Sequence, residues 1–309
     1  MRLLVFSVAC NFYRGEHMYD DKDMSTIKRG YLKEDFRFFH LKDKKHDQFE
    51  FHYHEFNKII IFISGKVTYL IEGKAYKLKP WDILLVNSNE VHKPLIDTEE
   101  AYERIVIWVN SSFLVDHNSK ECNLLSCFEE AFKDKLNMIR LKAEYLSDIK
   151  YILSQLDTAC KSREFGSDIL KNSLFLQLIV YINRLFLGTE NQKEIGDIEY
   201  DENIAAILNY INENLRGDLS IEDIAIRFYI SKYYLMHRFK AQTGYTVHSY
   251  ILQKRLMLAK ELIKKGKPVT EVYLDCGFSD YSNFIRAFKN SCGVSPKKYY
   301  KAVMELEKK

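Results

Sequence analysis

The chain has 309 residues, 47% of them hydrophobic and 14% aromatic, with a formal net charge of +3. That length exceeds one average domain, and that apolar share excludes a disordered or low-complexity protein. The charge is unevenly placed: residues 201–309 carry 18 Lys and Arg against 12 Asp and Glu, whereas the first 200 carry 28 against 31.

The resulting +6 in the last third suits a phosphate-bearing partner. Six cysteines show no CxxC pair and no dense framework, which fits a reducing cytoplasm better than a secreted scaffold. Leu174–Leu187 is apolar but is interrupted by Gln177, Asn183 and Arg184 and is too short to span a bilayer, so no membrane partner is expected. Met1–Cys10 has one Arg and a short apolar run without a following small-residue cleavage site. Residues 1–24 are therefore read as an N-terminal tail or a start-site artefact.

Residues 25–115 read as short strands. Phe36–His40, Gln48–His54, Ile59–Ser64, Lys66–Glu72, Lys74–Leu78, Ile83–Asn87 and Arg104–Asn110 are rich in β-branched and aromatic residues. Ser64-Gly65, Glu72-Gly73, Lys79-Pro80 and Asn87-Ser88-Asn89 separate them, with Glu72-Gly73-Lys74 the clearest hairpin. Such spacing predicts a sandwich or small barrel. Strand alternation places His52 and His54 on one face and Phe51 and Tyr53 on the other, with His92 about forty residues on.

From about Phe49 to Pro94 the chain resembles the cupin barrel. In metal-binding cupins an HxH pair, a following Glu and a later His meet inside the barrel. His52, His54 and His92 match, but Lys58 stands at the Glu position and Trp81 replaces the Gly of the Pro-Gly-Asp turn. Three imidazoles suit zinc or iron, yet a cation in place of the carboxylate favours histidines that line a polar pocket, without metal or other cofactor. Tyr53, Tyr69, Tyr76, Trp81 and Trp108 offer flat faces that suit a sugar, or they are core. The candidate ligand-binding residues are His52, His54, His92 and Trp81.

At Ser111 the period changes to that of helices: Asn123–Lys135, Glu144–Cys160 and Ser167–Leu187, the last opened by Ser167-Asp168 and closed by Gly188. Residues 116–188 are read as a helical segment that pairs two copies into a homodimer, or that packs wholly within one. Polar, aperiodic residues 189–201 are read as a linker.

Residues 202–309 say nearly the same thing twice. Ile221, Ile224, Phe239, Lys240 and Gly244 reappear as Val269, Val272, Phe288, Lys289 and Gly293, offset by 48 residues before the central turn and 49 after it. Each copy predicts a short helix, a break at Tyr229-Ile230-Ser231 or Gly277-Phe278-Ser279, and a second helix: a helix-turn-helix. Tyr234, Leu235 and Phe239 are expected on the inner face of the first second-helix, and Phe284 and Phe288 on that of the other. That leaves Lys232, Tyr233, Met236, His237 and Lys240, and Tyr281, Asn283, Ile285, Arg286 and Lys289, towards the outside. Lys232, Arg238, Lys240, Lys254, Lys289, Lys297 and Lys298 are expected to meet phosphates or stay solvated. A longer helix, Val247–Lys265, joins the copies and ends at Gly266 and Pro268.

From about Asn203 to Lys301 the chain closely resembles the DNA-binding domain of the AraC family of transcription regulators. Gly277-Phe278, Phe288-Lys289, Gly293, Ser295-Pro296, Tyr299, Arg255 and Ala259 fall at the family's spacings, and a cupin-like domain ahead of this module is the family's commonest arrangement. The resemblance implies base-edge contacts from Tyr233, Met236, His237, Tyr281, Asn283, Ile285 and Arg286. His237 stands where an Arg is frequent, and Tyr273 and Cys276 replace small residues.

The reading is an α+β multidomain chain: a cupin-like β-barrel, a helical segment and an all-α domain with two helix-turn-helix motifs. It is a cytoplasmic regulator that binds double-stranded promoter DNA and answers a small effector, a sugar being one candidate, with RNA polymerase a further partner if it activates. A metal-dependent cupin enzyme with a helical tail is the alternative.

Overall fold

The computed structural model of the chain describes residues 32, 34–44, 49, 51–134, 136–188 and 198–306. The expected tail 1–24 and most of the expected linker lie outside these residues. The described chain divides into two compact units between Glu199 and Tyr200.

The first unit begins with seven strands, β1 (Phe36–Asp43), β2 (Asn57–Ser64), β3 (Val67–Ile71), β4 (Lys74–Lys77), β5 (Ile83–Val86), β6 (His92–Ile96) and β7 (Tyr102–Val109). Then follow α1 (Ser111–Asp116), α2 (Ser126–Asp134), β8 (Met138–Ile139), α3 (Ala143–Lys161), α4 (Ser167–Leu187) and β9 (Ile198–Tyr200). Two sheets form, in the orders β1-β7-β2-β5-β8 and β6-β3-β4-β9. The hairpin between β3 and β4 turns at Glu72 and Gly73, both at positive φ (44° and 79°), as a two-residue turn matched to strand twist requires.

The two faces of β2 explain why its sequence is almost continuously apolar. Ile60 and Phe62 pack between the sheets with Tyr69, Ile71, Tyr76, Leu84, Val86 and Val106. Ile59 and Ile61 point the other way, into a second core shared with Ile107, Phe128, Ile152, Phe175, Ile179 and Phe186. The helices thus cover the five-stranded sheet of their own chain, and the apolar stripe of α4 is buried there. Sheet coverage accounts for most of their hydrophobicity without a second subunit.

Several strands differ from expectation. The strand expected at Gln48–His54 lies partly outside the described residues; what is described is one antiparallel bridge, His52 to His92. β6 was not anticipated because it contains Pro94, which cannot donate to a ladder. It lies at the edge of its sheet, where one side needs no donor. β9 falls at the end of the stretch read as linker.

The second unit holds α5 (Glu202–Glu213), α6 (Ile221–Arg227), α7 (Lys232–Thr243), α8 (Val247–Lys264), α9 (Val269–Asp275), α10 (Tyr281–Cys292) and α11 (Pro296–Leu306). Local chemistry sets most of the ends. Asp201, Ser220, Ser231, Thr246 and Asp280 each accept backbone N–H groups of the first turn that follows. Gly244 and Gly293 close α7 and α10 at φ of 75° and 71°. The second copy's core is Leu256, Ile263, Val272, Cys276, Phe284 and Phe288. Burial pushes the Cys276 thiol up to about 12, so it behaves as an inert apolar filler. No helix among the described residues is long and apolar enough to cross a membrane.

Candidate nucleic-acid interface and ligand site

In α7 the buried stripe is Leu235, Phe239 and Thr243, and in α10 it is Phe284, Phe288 and Cys292. Each recurs four residues apart, so the opposite side of each helix is left to solvent. On α7 that side carries Tyr233, Met236, His237 and Lys240, all exposed, with Tyr233 76% accessible. The His237 ring stacks on Tyr233 at 6.1 Å, giving a flat pair on the outer face. On α10, Tyr281, Asn283, Arg286 and Lys289 are exposed and Ile285 is half-buried. Tyr281 is braced edge-on by Tyr273 of α9 at 5.3 Å. Arg286 donates to Asn283 Oδ1 one turn back, which holds both groups at one spot on the outer face.

Three residues are placed differently from expectation. Tyr234 is not on the inner face; it is 36% exposed and its hydroxyl donates to Asp201. Arg238 does not stand free, because both Nε and Nη2 donate to Asp201 Oδ2 at 3.2 and 3.0 Å. Lys254 is buried, with its ammonium 5.3 Å from the centre of the Tyr250 ring. Helical period alone does not foresee the first two, which meet Asp201 far back in the chain, whereas Lys254 lies over a ring one turn back in its own helix.

Arg255 has a role that the sequence suggested only through family spacing. From α8 it donates to the carbonyls of Leu215 (2.9 Å) and Gly217 (2.7 Å) in the α5–α6 loop. It also lies against the turn of the second copy, where a Cβ on Gly277 would stand 2.2 Å from Leu215 O and 3.0 Å from Arg255 Nε. Gly277 has φ of 79°, so both space and backbone call for glycine. This contact spaces the two motifs within the unit.

In the first unit the three histidines converge. His52 and His92 exchange two backbone hydrogen bonds, 3.1 and 2.9 Å, and their rings stand 4.3 Å apart; His54 lies 4.8 Å from His92. Nδ1 of His54 faces the Phe56 carbonyl at 2.8 Å, and Nδ1 of His92 faces that of Glu90 at 2.9 Å. A carbonyl only accepts, so each Nδ1 carries the proton and, in a neutral ring, Nε2 keeps a lone pair. Burial, then Lys58 and His52, holds His54 well below the usual histidine range. Burial, then His52, Lys58 and His54, does the same for His92. Neither Nε2 has a protein partner, and the buried Trp108 Nε1 has none either. Aromatic rings link these groups: Phe56 stacks on His54 at 4.1 Å and meets Trp108 at 4.8 Å, and Tyr69 stacks on His92 at 6.0 Å.

Trp81 does not join them. It sits at φ of 73° in the altered turn, packs against the core between sheet and helices, and lies under the Lys150 ammonium at 4.4 Å. Among the described residues no group of three or more His, Cys, Asp or Glu side chains is arranged to hold a metal ion. The nearby carboxylate of Glu90 already accepts from Asn87 N and Asn137 Nδ2.

A basic helical unit with two helix-turn-helix motifs, in a chain whose β-domain also brings three buried histidines together, defines a DNA-binding transcription regulator with a ligand-binding domain. The profile of the AraC-like ligand binding domain matches residues 38–117, and a helix-turn-helix domain profile matches residues 224–302. The chain belongs to the AraC family of transcription regulators.

Over 253 residues it is 28% identical to the probable transcriptional regulator LumQ of Photobacterium leiognathi, covering 81% of this chain and 91% of that one. It is 25% identical to the HTH-type transcriptional activator RhaS of Yersinia pestis, covering 80% and 87%. Among solved structures, the C-terminal domain of the response regulator AraT from Geobacillus stearothermophilus aligns at 26% identity and a TM-score of 0.32, covering 33% of this chain and 86% of that one.

Proposed function

We propose that this regulator is a cytoplasmic, non-enzymatic activator whose barrel binds a small polyhydroxylated effector, a sugar being the leading candidate. The observation that carries the ligand class is the set of buried, unpartnered polar atoms beside aromatic rings: His54 Nε2, His92 Nε2 and Trp108 Nε1. Two lone pairs and one N–H without partners are costly when buried. A hydroxylated ligand both donates and accepts, so it answers all three, and the rings accept its apolar face. The activator assignment follows the activators among its relatives.

On the DNA side, Tyr233, Met236 and His237, and Tyr281, Asn283, Ile285 and Arg286, read base edges in two successive major-groove segments about one helical turn, or ~34 Å, apart. Lys240 and Lys289 meet phosphates. One chain then covers an asymmetric site. The exposed apolar residues Tyr151, Ile169 and Leu170 on α3 and α4 support pairing of two chains through residues 116–188. The domain limits proposed are a barrel to residue 115, helices to 188 and a DNA-binding domain from 202.

Effector binding acts by shifting a population between two states that differ in operator affinity. The test is operator affinity with and without a panel of pentoses and hexoses: one sugar is expected to change it at least tenfold, and equal affinities throughout sink the linkage. A metal reading has one observation in its favour, the Nδ1-to-carbonyl bonds that orient metal-ligating histidines. Stoichiometric zinc or iron in purified protein would establish it.

A further inference from the structure

Lys58 adds a charge to the orphaned polar atoms of the first unit. On β2, Ile60 and Phe62 face the core between the sheets, while Ile59 and Ile61 face the core under the helices. Alternation therefore turns Lys58 inward, on the side of Ile60. Its cross-strand partners agree. Lys58 lies directly opposite Val86 on β5 and Trp108 on β7, and both pack in the inner core. Directly opposite residues share a face of the sheet. Burial is the first cause that holds His54 and His92 below the usual histidine range, and the Lys58 charge adds to it in both. The ammonium thus stands within electrostatic reach of the histidines.

The hydrogen-bonding roles in this cluster are divided. The Lys58 ammonium and the Trp108 indole N–H only donate. The Nε2 atoms of His54 and His92 only accept, because in each neutral ring Nδ1 holds the proton against a carbonyl. Phe56 spans the two kinds of group, stacked on His54 at 4.1 Å and meeting Trp108 at 4.8 Å. Both Nε2 atoms and Trp108 Nε1 are buried without a protein partner. A neutral sugar answers the acceptors with its hydroxyls but leaves the positive field of Lys58 unused. A simple carboxylate answers the donors and has no proton for the two Nε2 atoms. A molecule with a carboxylate at one end and hydroxyls at the other answers both, and a charge-assisted bond to an ammonium is about twice as strong as a neutral one.

We propose that the effector is a polyhydroxylated carboxylic acid, an aldonic or uronic acid: its carboxylate is held by Lys58 and the Trp108 indole N–H, and its hydroxyls donate to Nε2 of His54 and of His92. The proposal rests on the reading above that the barrel binds a small polyhydroxylated effector, and it adds the charge of that effector. Lys58 then determines specificity, since the same ammonium that repels a metal cation attracts an anion.

The test is calorimetric titration of the full-length chain with matched pairs: D-glucose and D-gluconate, D-galactose and D-galacturonate, D-xylose and D-xylonate. The acids are added as sodium salts at constant ionic strength. At least one acid is expected to bind about tenfold or more tighter than its neutral partner. Lys58→Met is expected to erase that preference and Lys58→Arg to retain it. The wild-type comparison stands by itself if Lys58→Met does not fold. An acid that binds no tighter than its neutral sugar in every pair, or a preference that survives in folded Lys58→Met, overturns the carboxylate assignment and leaves the sugar reading intact. Binding of neither member of any pair overturns the polyhydroxylated effector and this proposal with it.

Discussion

The two helix-turn-helix copies share a scaffold and differ in how their surfaces are equipped. The first turns at Tyr229 (φ 54°), the second at Gly277 (φ 79°). His237 of α7 occupies the position that Arg286 fills in α10, and the neighbouring Arg238 is tied to Asp201. In the second copy Arg286 and Asn283 are paired with each other at the surface. Duplication preserved what packing requires, the apolar stripes and the closing glycines. It left the outer faces free to diverge, because solvent imposes no shape on them.

The largest expected effect falls on the turn. Gly277→Ala forces a Cβ to within 2.2 Å of Leu215 O at a positive φ, and should destabilise the DNA-binding domain by about 3 kcal/mol or more. Tyr229→Gly should change stability by less than about 1 kcal/mol, since relief of left-handed strain is offset by a more flexible unfolded chain. Urea unfolding of both variants measures the pair, and equal losses would show that the turns are equivalent after all.

Next comes reading. Arg286→Ala should lose about 1–3 kcal/mol of discrimination at one base pair, while His237→Ala should change base preference by much less. Affinities for an operator series substituted one base pair at a time decide it; a larger effect at His237 would make the first copy the stronger reader.

Asp201→Ala removes both the N-cap of α5 and the partner of Arg238, and should cost about 1–2 kcal/mol in thermal unfolding. Nothing equivalent ties Ala287, the second copy's counterpart of Arg238.

Acid provides a control that acts on neither copy. Outside the folded barrel, the His54 and His92 imidazoles take up a proton near their ordinary value of 6.5, whereas the buried rings resist it. Barrel stability is therefore full above that pH and should fall below it, by at most about 1.4 kcal/mol per pH unit for each histidine. His92→Asn should flatten that slope in a pH series of melting curves.

The smallest effect expected is on phosphates: Lys240→Ala and Lys289→Ala should each lower the slope of log affinity against log salt by ~0.9 without changing base preference. A variant that altered preference instead would move that lysine into the groove.

By itself the sequence determined the doubled motif, the hairpin at Glu72-Gly73 and the span of α4. These rest on signals within one or two turns of chain: period, capping side chains and glycines at positive φ. Tertiary structure decided what depends on partners far along the chain. It joined His52 to His92 by two backbone bonds, sent Trp81 to the helix-covered side of the sheet, placed Pro94 in an edge strand and covered that sheet with the middle helices. It also buried Lys254, tied Arg238 to Asp201 and set Arg255 against the turn that only Gly277 fits. The physical reason is the same in each case. A residue's neighbours in sequence set its backbone, but its burial and its polar partner belong to whichever strand or helix closes over it.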